Sequence, residues 1–93
     1  MQNTLAELEA TIVARKGASP EDSYSARLLH DTELLQRKIV EEAHEVTLEL
    51  ARPAIDKDRL AEECADLLYH VMVGLVTADV AFTDVLDVLE ARR

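Results

Sequence analysis

Only two glycines and two prolines interrupt this chain of 93 residues. Glycine weakens a helix through backbone entropy, and proline removes a donor and clashes with the preceding turn. A sequence so poor in both has few places to turn. Its Val, Ile and Thr residues do not alternate with polar ones in the two-residue period of a half-buried strand, whereas apolar residues recur at spacings of three and four. The chain is expected to be all-α. The first helix is predicted over Thr4 to Lys16, with Leu5, Leu8, Ile12 and Val13 as its apolar stripe and Gly17 as its C-terminal cap. Pro20 prevents continuation. A short helical piece follows at Ser25 to Leu29. A long helix then starts at Asp31 or Thr32, either of which suits an N-cap, and stops at about Ala51, ahead of Pro53. Another runs from Asp56 or Asp58 to about Thr77. The last is "AFTDVLDVLEARR", with a narrow stripe of Val85, Leu86 and Leu89. Short connections between such helices predict a small bundle of four to five.

The length fits one domain, residues 1–93, and a chain of this size buries only about 60–65% of its unfolded surface. Yet 48% of the residues are hydrophobic. The helix ending at Thr77 is apolar on more than one side, since Leu68, Met72, Leu75 and Val76 lie well round from Leu60 and Leu67. A helix with so much apolar girth needs enclosure, which predicts a homodimer built largely on it. Ten Lys plus Arg against nineteen Asp plus Glu give a net charge of −9. That disfavours nucleic acid and anionic membrane surfaces as partners. The longest apolar run falls short of the ~20 residues of a membrane span, and "MQNTLAELEA" lacks the apolar core of a secretion signal. A cytoplasmic location is expected. The single Cys64 excludes an intrachain disulfide and a cysteine-based zinc site; in its apolar stripe it reads as a small buried hydrophobe.

Within this acidic chain, acids are stacked twice at helical spacing. "RKIVEEAHEV" carries Glu41, Glu42 and Glu45; "RLAEECADLL" carries Glu62, Glu63 and Asp66, an echo at an offset of 21 residues. Like charges three or four apart on a helix cost roughly 0.2–0.5 kcal/mol per pair. At 100° per residue, Ile39, Ala43, Val46 and Leu50 form one face of the first long helix; Glu42 borders it, with Glu45 one turn on and further round, and Lys38 and Glu49 in the same column as Glu42. On the second long helix Leu60, Cys64, Leu67 and Val71 form the stripe, and Glu63, Asp66 and His70 follow its edge. Antiparallel packing would let these edges face each other, and a divalent cation such as Mg²⁺, which prefers oxygen ligands, would relieve the repulsion. A solvated acidic face accounts for the same pattern, and the residues alone leave both readings open. Glu41-x-x-His44 matches half of a di-iron carboxylate motif, but no Glu stands three before His70 to supply its twin. His44 is expected in solvent and His70 as a satisfied structural histidine.

"EExxE" followed by "ExxD" (Glu41, Glu42, Glu45; Glu63, Asp66) resembles the signature of the MazG-type all-α nucleotide pyrophosphatases. Joined to "SYSARLL" (residues 23–29), "RKIVEEAHEV" and "EECADLLYHVMVGL" (62–75), it is most similar to the phosphoribosyl-ATP pyrophosphohydrolases within that group. Val40 and His30-Asp31 stand where that family often has glycine. The resemblance implies Mg²⁺-dependent hydrolysis of the α–β phosphoanhydride of phosphoribosyl-ATP, a step of histidine biosynthesis, giving phosphoribosyl-AMP and pyrophosphate. By carry-over, Glu42, Glu45, Glu63 and Asp66 are the implied Mg²⁺ ligands, and Glu41 or Glu62 orients the attacking water. Lys38 is the foremost phosphate contact, with Arg15, Lys16, Arg27 and Arg37 behind it, and Tyr24 stacks on the base. A pyrophosphatase acting on noncanonical nucleoside triphosphates, and a non-catalytic helical interaction module, are the competing readings.

Overall fold

The computed structural model describes residues 3–93, which form five helices and no strand. They are α1 (Thr4–Ala14), α2 (Tyr24–Leu29), α3 (Thr32–Leu50), α4 (Lys57–Thr77) and α5 (Phe82–Arg92). Their starts follow from short polar side chains that accept a hydrogen bond from an otherwise orphaned N–H two or three residues on. Asn3 accepts from Ala6, Ser23 from Ala26, Asp31 from Leu34 and Asp56 from Arg59. The start of α5 has no such local cap. Instead Glu9 of α1 accepts from the Phe82 N–H at 2.8 Å, tying the two ends of the chain together.

The helix ends depart from expectation in two places. α1 stops at Ala14, and its cap residue is Arg15 in right-handed geometry, so Gly17 is not a left-handed cap. At the end of α4 the left-handed position is taken by Asp79, at φ 56°. The Val80 N–H reaches the Leu75 carbonyl and the Asp79 N–H reaches that of Val76, the paired bonds of a Schellman closure.

α3 and α4 pack antiparallel over most of their length. Glu49 near the end of α3 meets Arg59 near the start of α4, and Gly74 near the end of α4 lies against Leu35 and Ile39 near the start of α3. The core gathers at the Gly74 end: Ile12, Leu28, Leu34, Leu35, Met72, Val73 and Val76, with Leu5, Leu8, Leu29, Ile39, Tyr69 and Phe82 packed around it. Several faces are rotated from expectation. Val13 is half exposed, and Leu60, Cys64, Leu67 and Val71 are half-buried where a buried stripe was predicted. On α3, Leu50 is exposed while Glu49 retains 2% of its surface. The column meeting α4 is therefore Leu35, Ile39, Glu42, Val46 and Glu49. α5 has no buried residue, and Leu86, Val88 and Leu89 stay exposed. No described helix is long and apolar enough to cross a membrane.

Candidate active site

The rotation of α3 turns Glu42 toward α4, and the antiparallel register sets it beside Glu63 and Asp66. One carboxylate oxygen from each of these three lies within 4.8 Å of the other two. Glu45 stands outside this triad, yet its charge reaches it. The Glu63 carboxyl is raised above its ordinary value by partial burial and then by the charges of Glu45, Asp66 and Glu42, with Arg59 pulling the other way. Three crowded acids with little counter-charge make a hard oxygen donor set, the kind that suits Mg²⁺. The donor chemistry thus fits the cation that the sequence pattern implies.

One end of this edge is walled by aromatic groups. His70 is buried, and its Nδ1 lies 2.7 Å from the Asp66 carbonyl oxygen. A carbonyl can only accept, so Nδ1 carries the proton, and in the neutral ring Nε2 is the acceptor. The Tyr24 hydroxyl, 2.9 Å from that Nε2, therefore donates to it. Ser25 and Tyr69 share a second hydroxyl bond between α2 and α4. The Tyr24 and Tyr69 rings stack at 6.3 Å, with His70 edge-on to both. Burial pushes the Tyr24 hydroxyl up, Lys38 opposes that, Tyr69 and Glu42 add to it, and Arg27 opposes it again. Tyr24 thus stands among Lys38, Glu42 and Arg27 with 46% of its surface exposed.

The other implied residues are less closely gathered. Lys38 Nζ is 3.6 Å from Glu41, a loose and exposed pair. Glu41 and Glu62 are exposed and lie outside the triad. Arg15 and Arg37 are exposed and make no ion pair among the described residues. Lys16 pairs with Asp79 at 2.8 Å, just past the far end of α4 and about 20 Å along the helix from Asp66. An open cleft of about 260 Å³ also lies there, lined by Val13, Val76 and Val80 among others, and it contains none of the triad.

The opposite end of the edge holds an arrangement that the sequence reading left without a role. Glu49 is paired with two arginines: Arg52 Nε at 2.9 Å and Arg59 Nε at 3.4 Å. The signal available was the continuation of the Lys38–Glu42–Glu45 column to Glu49, with Arg52 three residues on.

Comparison with known proteins supplies an independent line. The family model described as phosphoribosyl-ATP pyrophosphohydrolase matches residues 5–93. A protein of Cereibacter sphaeroides (strain KD131) named phosphoribosyl-ATP pyrophosphatase is 47% identical over 90 residues, covering 96% of this chain and 85% of its own. One of Dinoroseobacter shibae with the same name is 46% identical over 92 residues, covering 98% and 88%. Another, of Caulobacter sp. (strain K31), is 47% identical over 89 residues, covering 96% and 81%.

Proposed function

The chain belongs to the phosphoribosyl-ATP pyrophosphohydrolase family, and on that premise we propose that it hydrolyses phosphoribosyl-ATP at the α–β phosphoanhydride. The products are phosphoribosyl-AMP and pyrophosphate, in the histidine-forming sequence and in the cytoplasm. The observation that carries the site is the convergence of Glu42, Glu63 and Asp66. These three, with Glu45 beside them, would hold Mg²⁺. Bound there, the ion would neutralise phosphate charge and make water a better nucleophile.

The chain's own residues then do the positioning on which phosphoryl transfer chiefly depends. Tyr24, fixed by His70, offers a half-exposed ring to the base. Lys38 and Arg27, gathered around that ring, meet the adjoining phosphate. A water oxygen bonds to the phosphorus it attacks as the bridging bond breaks, pyrophosphate leaves, and the water's proton passes to a carboxylate. Glu41 and Glu62, each next to a triad member and open to solvent, are the acids available for it. The apolar surface left on α4 and α5, with Leu68, Leu86 and Leu89 roughly half exposed, supports assembly as a homodimer.

The test is pyrophosphate release with Mg²⁺ and with chelator, offering phosphoribosyl-ATP beside ATP, dUTP and dCTP. Mg²⁺-dependent turnover of phosphoribosyl-ATP is expected. Turnover of the simple triphosphates alone would move the activity to another substrate class, and no turnover at all would overturn the reading.

A further inference from the structure

The geometry points to Arg59 as the residue that grips the departing pyrophosphate, aimed by buried Glu49, so that substrate lies along the α3–α4 seam with its nucleoside toward Tyr24 and its outer phosphates toward Arg59. This rests on the proposed hydrolysis and adds a direction and two residues to it. Along α3 the column Lys38, Glu42, Glu45, Glu49 spans eleven residues, about 16 Å at the helical rise. Lys38 and the aromatic wall stand at one end, the carboxylate triad in the middle, and the Glu49–Arg59 pair at the other.

The charge count at that far end is the telling feature. Glu49 keeps 2% of its surface; Arg52 Nε stands 2.9 Å from its Oε1, which accepts no hydrogen bond among the described residues, while Oε2 accepts from both Arg52 and Arg59 at 3.4 Å. Arg59 is a second cation on a carboxylate that already has one, so two arginines share Glu49, and the other acids whose charge acts on Arg59 are Glu63 of the triad and Asp56. Only the Nε of Arg59 faces Glu49, at 3.4 Å, while about half of the side chain stays in solvent. The remaining N–H donors of the guanidinium make no hydrogen bond among the described residues, and their planar fork matches a phosphate edge. Arg59 also lies near enough to the triad for its charge to act on Glu63. A guanidinium held from behind loses little freedom when it binds, which is why a buried carboxylate is worth keeping there.

Binding of inorganic pyrophosphate and of AMP, each with Mg²⁺, to the full chain by titration calorimetry tests this. Arg59→Gln is expected to weaken pyrophosphate by about ten- to hundredfold, the loss of one charge-assisted hydrogen bond, and to change AMP by less than about twofold. Glu49→Gln, with Arg59 intact, is expected to weaken pyrophosphate selectively but less. Because Arg59→Gln alone strips a partner from a buried acid, the double variant Glu49→Gln/Arg59→Gln is measured as well, and the same selective loss is expected. Unchanged pyrophosphate affinity in the double variant, or an equal loss for both ligands, would overturn the inference. Failure of the wild-type chain to hydrolyse phosphoribosyl-ATP would instead overturn the reading on which it rests, a result separate from these affinities.

Discussion

A carboxylate drawn out of water needs counter-charge or a proton, and this chain meets that need in two ways. At Glu49 the protein supplies two arginines from its own sequence. At Glu42, Glu63 and Asp66 the acids face one another, and the relief proposed is an added cation. Mg²⁺ is expected to raise the melting temperature of the wild type, and Glu42→Gln and Asp66→Asn are each expected to abolish that rise. Each should also cut turnover on the order of 10²-fold, the usual scale for removing a group that offsets charge at the reacting centre. A differential scan with and without Mg²⁺, beside a pyrophosphate-release assay, checks both. The raised Glu63 carboxyl sets a pH dependence in the metal-free protein. Its proton is held more tightly in the folded state than in the unfolded one. The stability it contributes is fully present below its unfolded value, near 4.5, and is lost as pH rises through the higher folded value. Glu63→Gln should flatten that part of the melting-temperature profile above about pH 4.5, and a variant with an unaltered profile would contradict the assignment.

At the scale of the element, the α3–α4 pair explains what the sequence made legible and what it did not. Asp31 and Asp56 begin these helices as the capping rule says, and Pro53 closes the first of them. The repeated acids fall on facing edges because a period near 3.6 was enough to find them. The rotation of α3 was not legible. Leu50 and Glu49 sit 100° apart, and hydropathy alone favours the leucine as the buried member. What reverses the choice is the pair of arginines on Glu49, Arg52 three residues on and Arg59 ten residues away across a turn, the second of which no single-helix wheel contains. The bond from Tyr24 to His70 joins residues 46 apart and was hidden for the same reason. Gly74 gives the element its own prediction. A methyl group there would meet Leu35 and Ile39 at 3.8 Å, ordinary contact. Gly74→Ala should therefore stabilise by about 0.5–1 kcal/mol, the helix-interior difference between the two residues. Urea denaturation with an unchanged slope would register it, and a loss of stability would mean that the seam is tighter than these contacts imply.

At the scale of the whole molecule, the core sits at one end of the hairpin, and α5 is held chiefly by its edge and by Glu9. So much unburied Leu and Val in so small a chain makes self-association the expected state. Light scattering at micromolar concentration should give about twice the 10.4 kDa chain mass, and Leu68→Glu should lower it. A monomer of wild-type sequence at every concentration would refute the dimer. The hairpin itself has a consequence in time. Every residue from Lys38 to Asp66 that forms the site's acidic edge comes from one antiparallel helix pair joined by a short turn, whereas the Glu9–Phe82 bond spans 73 positions. Local pairings close fastest and distant ones last. The repelling acids are therefore expected to meet early, on the way to the native state, and to resist that step. Mg²⁺ should then raise the folding rate in stopped-flow refolding and not merely slow unfolding; an effect confined to the unfolding limb would place the meeting of the acids after the barrier.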